Sequence, residues 1–394
     1  MPPQATTARL GLRVGRVRQR LRARSPAVRR ASATLAARCS GGTPRLTCGA
    51  MYEAQLSSSG TAEKPARVHA VSRPVEIRDA ADLPYEAFLR EYMVPRRPVH
   101  LRGAVASWPA LAKWTPEYFK TRFATKQVAV SYKDRMPFAE FVDQVLASTV
   151  EKPGPYMFRL FLHEELPEVL PDLIPQNPYA FPGRYASPLM FEYYRRPDGY
   201  LKLLFGGIGG SFPVMHFDGD ESHAAITEIY GDKEFLLYSP DDTPYLYPSP
   251  TRANHSLVDD PYEQDLARFP LLTKATQYRA YLKPGDTIFV PAGWWHSARA
   301  ATTSISVCQN MVFAPDWNEF VHLTTGDSPS LKTRGKKAYL AAAGAVMSAM
   351  ETVQRRFPRA AKALRLPAMV APISSTAMTR DPSTKRLRIR VSTG

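Results

Sequence analysis

Two histidines and one aspartate stand at spacings that suit a metal centre. His216 and Asp218 are two residues apart, and His296 follows 80 residues after His216. Side chains two residues apart on a strand project from the same face, so His216 and Asp218 can point at one ion. Two imidazoles and a carboxylate that leave coordination positions open are the ligands of oxygen-activating, non-haem Fe(II). These three residues are therefore predicted to bind one iron ion.

The third ligand of such a site must come from a strand that is distant in sequence and near in space. His296 follows the corner Pro291-Ala292-Gly293 and the pair Trp294-Trp295, whose expected role is to wall the site or to pack in the core. Pro284-Gly285-Asp286 predicts a tight turn before this segment. No thiolate lies nearby in sequence, which favours iron over zinc.

Short strands dominate the chain from residue 200 onward. Turn residues separate them and no helical segments intervene, a pattern that predicts an all-β barrel or sandwich. Residues 240–276 interrupt the pattern and are predicted to form an insertion loop. The predicted strands are Leu201–Phe205, Ala224–Tyr230, Phe235–Tyr238, Tyr278–Leu282, Thr287–Val290, Trp295–Arg299 and Ser304–Cys308.

Helices are expected on both sides of this β-rich region. Residues 83–92 predict a short helix, residues 99–101 a strand, and Thr115-Pro116-Glu117 the start of another helix. Residues 150–195 are rich in Pro and Tyr and predict irregular covering structure. Residues 337–366 predict a C-terminal helix, and a homodimer through this helix is one possibility.

The net charge of +16 is concentrated in the tails. Residues 1–50 carry eleven arginines and no acid, and residues 327–394 carry fourteen Lys or Arg against three acids, which leaves residues 51–326 at about −6. Three parts are therefore predicted: a basic leader at 1–75, a folded domain at 76–326 and a basic extension at 327–394. Arginine runs without interleaved aromatic residues are typical of solvated tails, so no specific binding to nucleic acid is expected.

The leader has two interpretations that the residues leave open. Its Arg- and Ser-rich, acid-poor composition is typical of transit peptides, but a disordered tail, or a start at Met51, fits as well. The protein is expected to be intracellular, and organellar (mitochondrial or plastid) if the leader is a transit peptide. Three cysteines without paired spacing exclude a disulfide framework, and no apolar run is long enough to span a membrane.

Several motifs together resemble the JmjC or cupin-like oxygenases that depend on Fe(II) and 2-oxoglutarate. The pattern is most similar to the branch that contains the factor-inhibiting asparaginyl hydroxylase and small JmjC hydroxylases. The resemblance covers about residues 76–320. Its motifs are Pro98-Val99-His100-Leu101-Arg102-Gly103, Trp108-Pro109, His216-Phe217-Asp218, Gly231-Asp232-Lys233-Glu234-Phe235-Leu236-Leu237-Tyr238-Ser239-Pro240, Pro284-Gly285-Asp286 and Trp294-Trp295-His296.

The resemblance implies a double-stranded β-helix, that is, a jelly-roll core of mainly β structure with N- and C-terminal helical additions. His216, Asp218 and His296 would hold iron, and Lys233 would bind the distal carboxylate of 2-oxoglutarate. O2 would be the second cosubstrate, and succinate and CO2 would be released. The expected reaction is hydroxylation of a C–H bond in a protein, peptide or small-molecule substrate.

Some positions depart from the family pattern. Pro213 stands where the family commonly has Thr or Ser, and Ser211 or Tyr238 could compensate as cosubstrate contacts. Cys308 occupies the slot of a family asparagine on the last strand. His223 lies close enough in sequence to touch the substrate or cosubstrate, although a structural role is the simpler expectation. The other histidines are expected to be structural or solvated: His69, His100, His163, His255 and His322.

Two other functions fit the same residues. Demethylation of N-methyl-lysine would use the same centre, but an H-x-D pair without a reader module or zinc cluster favours hydroxylation. A cupin-like scaffold that binds metal or a partner without turnover is the second alternative. The retained ligand set and Lys233 argue against the scaffold, whereas Pro213 and Cys308 favour it.

Overall fold

The computed structural model describes residues 71–130, 134–180, 187, 189, 201–219, 222–326, 330–366, 377–380 and 387–390. Residues 1–70, which form most of the predicted leader and include His69, lie outside the described residues. Residues 71–75 of the leader are described. Those residues begin the first strand at Val71, slightly before the predicted start of the folded domain.

Two β-sheets form the core of the molecule. The larger sheet consists, in spatial order, of β2 (Ile77–Asp79), β3 (Val99–Arg102), β11 (Thr287–Val290), β8 (His223–Tyr230), β13 (Ser304–Met311), β7 (Leu201–Gly206) and β6 (Tyr156–Phe161). The smaller sheet consists of β1 (Val71–Pro74), β10 (Thr276–Leu282), β9 (Lys233–Tyr238) and β12 (Trp295–Ala300). Two separate ribbons pair β4 (Gln127–Ala129) with β5 (Arg135–Pro137), and β14 (Ala377–Arg380) with β15 (Leu387–Arg390).

The chain passes repeatedly from one sheet to the other, which makes a jelly-roll-like sandwich. β8 belongs to the larger sheet and β9 to the smaller one, and Gly231 lies at the turn between them with φ +73°. A Cβ at Gly231 would lie 1.8 Å from the carbonyl oxygen of Thr303, so both the backbone angle and the space require glycine. The predicted fold class, mainly β with flanking helices, is confirmed.

Apolar side chains fill the space between the two sheets. The larger sheet contributes Leu204, Ala224, Ile226, Ile288 and Val290, and the smaller sheet contributes Phe235, Leu237, Ala280, Leu282 and Ala298. Along β9, Phe235 and Leu237 face this inner core, whereas Leu236 and Tyr238 face a second cluster outside it. Because strand side chains alternate, each residue of β9 is committed to one of these two sides.

Helices cover the outer face of the larger sheet. α3 (Pro116–Arg122) and α4 (Phe138–Leu146) bury Phe119, Phe138 and Phe141 against Leu203, Phe205 and Val307 of the sheet. α3 begins as predicted, since the Thr115 Oγ1 accepts a hydrogen bond of 3.1 Å from the Tyr118 N–H. The remaining short helices are α1 (Tyr85–Phe88), which continues as a π-helical turn (Leu89–Met93), α2 (Ala110–Lys113) and α5 (Leu162–Glu165). The 3₁₀ turns are Ala80–Asp82, Pro167–Leu173, Pro240–Tyr245, Pro270–Lys274 and Ala314–Asp316.

The C-terminal part of the domain is helical, as predicted. α6 (Trp317–Thr325), α7 (Leu331–Arg356) and α8 (Pro358–Ala363) follow one another, and Ser330 caps the start of α7. α7 buries Leu340, Ala343 and Met347 against α6. The helix begins earlier than predicted and breaks at Pro358, because proline cannot continue the preceding helix. Among the described helices, none combines the length and apolar character needed to cross a membrane.

One element contradicts its prediction. Residues 156–161, expected to be irregular, form β6, which pairs with β7 at the edge of the larger sheet. Tyr and Pro content suggested a covering loop, but Tyr156 and Phe158 contact the core between the sheets, whereas Met157 and Leu160 contact the core under the helices, as on a strand. The other predicted strands and the helix at residues 83–92 are confirmed with shifted ends, and 240–276 is confirmed as a long connection that contains two 3₁₀ turns.

Asp286 organises the turn that leads toward His296. Its buried carboxylate lies 2.9 Å from His100 Nε2 and accepts hydrogen bonds from the Gly103 and Lys283 N–H groups. Burial alone would raise the pKa of Asp286, but the bonds from His100 and the two N–H groups lower it below its usual value.

Asp286→Ala is therefore expected to lower the free energy of unfolding by about 2 kcal/mol near neutral pH. Because the folded-state pKa is depressed, this stabilisation is present above the unfolded pKa of about 3.9 and disappears as pH falls through the folded value. Urea unfolding at several pH values, with Asp286→Asn as the matched variant, measures the effect. An equal loss at neutral and strongly acidic pH would contradict this role of the ionised carboxylate.

Candidate metal centre

A cavity of about 300 Å³ opens between the two sheets, and all three predicted ligands line it. The larger sheet supplies most of its wall, and β9 and β12 supply the opposite side. Its described lining is mostly apolar and aromatic, with a few convergent polar groups, as in many small-molecule sites. The lining residues are Tyr156, Phe158, Phe161, Lys202, Leu204, Phe212, His216, Asp218, Ala224, Ile226, Phe235, His296, Ala298, Cys308 and Asn310.

Backbone pairing brings the two histidines together. The His216 N–H donates to the His296 carbonyl at 3.0 Å, and the His296 N–H donates to the His216 carbonyl at 2.7 Å. The two imidazole rings consequently lie side by side, with centroids 4.5 Å apart. A segment just before β8 and the start of β12 thus meet across 80 residues of sequence, as the spacing predicted.

Both imidazoles are oriented for metal binding through Nε2. His216 Nδ1 lies 3.0 Å from the Val214 carbonyl, and His296 Nδ1 lies 3.0 Å from the Trp294 carbonyl. A carbonyl oxygen only accepts, so each Nδ1 carries the hydrogen and each Nε2 keeps its lone pair. Burial, together with the neighbouring His296, places the pKa of His216 well below its usual value, which favours the neutral form that binds metals.

The aspartate completes a compact donor set. Asp218 Oδ1 lies 3.9 Å from His216 Nε2, and the donor atoms of His216, Asp218 and His296 all lie within 4.8 Å of one another. Two imidazoles and one carboxylate fit a divalent iron ion, since nitrogen and oxygen donors suit Fe(II) and the remaining positions stay open for ligands. The chemistry of the donors therefore agrees with the predicted metal.

Asn310 fixes the carboxylate of Asp218. Its amide nitrogen donates to Asp218 Oδ2 at 2.9 Å and to Ser222 Oγ at 3.1 Å, and its amide oxygen accepts from Lys202 Nζ at 2.8 Å. Asn310 and Lys202 were not predicted from the sequence as residues of the site. Alternation along β13 could have indicated Asn310, because positions 306, 308 and 310 share a face; Cys308, which was predicted, lines the cavity as well.

Asn310→Ala is expected to weaken metal binding by about 10- to 100-fold, because the carboxylate loses the hydrogen bond that orients it. Equilibrium titration of metal-free protein with Fe(II) under anaerobic conditions measures this change. Gln309→Ala, the adjacent residue on the opposite face of β13, is the matched control and should leave the affinity within about twofold. Equal affinities of the Asn310→Ala and Gln309→Ala variants would contradict the orienting role.

Lys233, the first residue of β9, is completely buried beside the start of β13. Its ammonium contacts Ser306 Oγ, lies 3.6 Å from Glu228 Oε2 and sits 5.4 Å from the centre of the Tyr156 ring. The Glu228 carboxylate also accepts hydrogen bonds of 2.7 Å from both Ser304 and Ser306. Burial alone would lower the pKa of Lys233, but the adjacent carboxylate raises it above its usual value. The ammonium thus lies directly behind Tyr156, which lines the cavity.

The structure does not bring Ser211 and Tyr238 to the cavity. Tyr238 points to the outer side of β9, where Gln264 and Gln277 donate to its hydroxyl at 2.9 and 2.8 Å. Ser211 pairs through its backbone with Arg299, and the neighbouring Phe212 lines the cavity instead and stacks on His216. Strand alternation explains the orientation of Tyr238, because it follows Lys233 by five positions, an odd offset that places the two side chains on opposite faces.

The remaining histidines and tryptophans have structural surroundings. His223 is fully buried, lies 2.8 Å from Asp316 and stacks on Phe289, so the structural interpretation holds. Trp295 packs in the cluster outside the smaller sheet, whereas Trp294 packs in the core between the sheets. His255 lies near the site, with its ring centroid 6.1 Å from that of His216.

Curated proteins of several functions are similar to this chain. The human bifunctional peptidase and (3S)-lysyl hydroxylase JMJD7 is 26% identical over 262 residues, which cover 56% of this chain and 78% of the relative. Lysine-specific demethylase 8 of Xenopus tropicalis is 29% identical over 234 residues, 56% of this chain and 49% of the relative. tRNA wybutosine-synthesizing protein 5 of Gallus gallus is 28% identical over 232 residues, which cover 54% of this chain and 69% of the relative. The chain thus spans about half the length of the frog demethylase.

A family model described as a cupin-like domain matches residues 84–318. This range contains the three candidate ligands and most strands of both sheets, and it takes up more than half of the chain. The match agrees with the jelly-roll-like architecture and with the JmjC resemblance of the motifs. The chain therefore belongs to the family of cupin-like domains.

Proposed function

We propose that this protein is an Fe(II)- and 2-oxoglutarate-dependent dioxygenase that hydroxylates a C–H bond of a protein side chain or a small molecule. The observation that carries the proposal is the convergence of two imidazoles and one carboxylate within 4.8 Å at the wall of a cavity. Both imidazoles offer Nε2, and the cavity leaves room for further ligands. Membership in the cupin-like family supports the same activity.

Each group in the site has a definite task in this proposal. His216, Asp218 and His296 hold the metal, and Asn310 orients the carboxylate of Asp218. Bound Fe(II) supplies the oxidising chemistry, by which 2-oxoglutarate, O2 and a C–H bond become succinate, CO2 and an alcohol. The family resemblance assigns the distal carboxylate of 2-oxoglutarate to Lys233, which lies behind Tyr156 and outside the cavity lining, so the Tyr156 ring would have to move for the two charges to meet. This ion pair would be strong because water is excluded there.

Aromatic side chains limit the access of water to the centre. Phe212 stacks on His216 with ring centroids 4.2 Å apart, and Phe158 packs edge-on against Phe212 at 4.6 Å. Such a wall protects a reactive centre from solvent and favours oxidation of the positioned substrate. Cys308 also lines the cavity, which is compatible with the cosubstrate contact expected of it from the sequence.

The names of the relatives support two enzymatic outcomes. One relative is named a lysyl hydroxylase and another a lysine-specific demethylase, and both names refer to lysine residues of proteins. We favour hydroxylation; demethylation is the alternative, and it uses the same centre. Membership in the branch that contains the factor-inhibiting asparaginyl hydroxylase is also a proposal, and so is a homodimer through the C-terminal helix.

Release of succinate tests the proposal. Full-length protein is incubated with Fe(II), 2-oxoglutarate and O2, and succinate is measured with and without a cell lysate, with His216→Ala as the control. Succinate that depends on His216 and rises with lysate is the expected result. Stoichiometric iron binding without succinate formation under any condition would contradict an oxygenase and favour the scaffold alternative. Mass spectrometry of the lysate with labelled O2 then identifies the oxidised substrate.

A further inference from the structure

Lys202 places a positive charge inside the cavity, and the predicted chemistry of the iron centre does not use it. It lies on β7 opposite Cys308 of β13 and lines the cavity together with the three candidate ligands. Within the described residues, its ammonium contacts the Asn310 amide oxygen at 2.8 Å and lies 5.8 Å from the centre of the Phe161 ring. Both of these partners are uncharged, and in the part of the chain that the structure describes Lys202 has no acidic partner.

Of the lysines Lys202 and Lys233, Lys202 lines the cavity, whereas Lys233 lies behind the Tyr156 ring and is not among the lining residues. The Lys233 ammonium lies at Ser306, whereas the Lys202 ammonium lies at Asn310, four residues farther along β13. The side chains that the two ammonium groups contact thus stand about 13 Å apart along the strand. Glu228 balances the charge of Lys233, but no carboxylate of the described residues forms an ion pair with Lys202. Lys202 is therefore the charged group at the end where Asp218 binds the metal.

A cationic side chain that reached the metal would approach Lys202 closely. Asn310 bonds both Lys202 and Asp218, so a group at the metal lies within one side-chain length of the ammonium. Like charges at such a distance in a poorly solvated cavity repel strongly, whereas a carboxylate would be attracted. The apolar walls around Phe161 and Phe212 strengthen both effects, because they keep water away.

We propose that Lys202 selects a substrate that carries a carboxylate next to the reacting C–H bond and rejects lysine and methyl-lysine side chains. This inference rests on the proposed oxygenase function and narrows its substrate class to acidic groups. It separates this chain from the relatives whose names refer to lysine. A carboxylate of 2-oxoglutarate offers the same chemistry, so the test must distinguish the cosubstrate from the substrate.

The first experiment measures cosubstrate binding. Full-length protein loaded with Mn(II) in place of iron is titrated with 2-oxoglutarate by calorimetry, for wild type, Lys202→Met and Lys233→Met. Lys202→Met should bind 2-oxoglutarate within about twofold of wild type, and Lys233→Met should lose about tenfold or more, equivalent to about 1.4 kcal/mol. A large loss for Lys202→Met would overturn the proposal and assign Lys202 to the cosubstrate.

The second experiment measures selection among side chains. N-acetyl amides of aspartate, asparagine and lysine are added to the Mn(II)–2-oxoglutarate form, and broadening of their proton signals by the paramagnetic ion reports proximity to the metal. The aspartate probe should bind about tenfold more tightly than the lysine probe, and Lys202→Glu should reverse this order. Equal broadening of the signals of all three probes would overturn the proposal, and so would the absence of broadening for all three.

The two experiments keep this inference separate from the proposed function. Failure of Mn(II) or 2-oxoglutarate to bind wild-type protein would contradict the oxygenase itself. Normal binding of both without preference for the acidic probe would contradict only the role of Lys202. Lys202 is partly exposed, so its substitution by Met or Glu is expected to leave the fold intact.

Discussion

Replacement of His296 with alanine is expected to abolish iron binding and succinate formation. His296 contributes Nε2 to the donor set and also faces His216 across a backbone pair, but only the side chain is lost in the variant. A metal site commonly contributes several kcal/mol to stabilisation of the transition state, so the rate of succinate release should fall by at least about a thousandfold. His216→Ala and Asp218→Ala should have the same effect.

A second histidine beside the site provides the control. His255 lies 6.1 Å from His216 between ring centroids, but it is not part of the compact donor set. His255→Ala should therefore bind one equivalent of Fe(II) with an affinity close to that of wild type. Equal loss of iron from His255→Ala and His296→Ala, or retention of iron by both, would contradict the assignment of the ligands.

The largest expected effect on stability belongs to the buried pair of Glu228 and Lys233. Both side chains are fully buried, with 3.6 Å between Glu228 Oε2 and Lys233 Nζ. Removing one partner leaves the other buried without its counter-charge, a change that typically costs about 3–5 kcal/mol. Lys233→Met and Glu228→Gln should each lower the free energy of unfolding by about this amount, measured by denaturant titration of the metal-free protein.

The double variant distinguishes an ion pair from two independent contacts. If the two charges stabilise each other, the combination of Lys233→Met and Glu228→Gln should cost clearly less than the sum of the single changes. Glu228→Gln is nearly isosteric, and its amide can still meet the hydroxyls of Ser304 and Ser306. Additivity within about 0.5 kcal/mol would contradict the pairing.

The sequence indicated which three side chains converge, because short-range geometry brings them together. Alternation along a strand is enough to place His216 and Asp218 on one side. One tertiary contact, between His216 and the segment after the corner, then adds His296. Alternation also separates Tyr238 from Lys233, since an odd offset on one strand places two side chains on opposite faces. Alternation along β9 would therefore have excluded Tyr238 as a cosubstrate contact from the sequence alone.

Other features of the site depend on the register between strands, which one sequence does not reveal. Lys202 meets Asn310 because β7 pairs with β13 in the register that sets Lys202 opposite Cys308. Glu228 meets Lys233 through the arrangement of β8, β9 and β13. The edge strand β6 was missed because its Tyr- and Pro-rich neighbourhood resembles a loop, and pairing with β7 overrides that local preference.

The identity of the ligands bound to iron is the most direct test of the central claim. Iron K-edge X-ray absorption of the anaerobic Fe(II) protein should show one iron with only nitrogen and oxygen neighbours, two of them imidazoles, and His296→Ala should remove the bound metal. A sulfur neighbour, for which Cys308 at the cavity wall is the nearby source, or fewer than two imidazoles would contradict the centre formed by His216, Asp218 and His296.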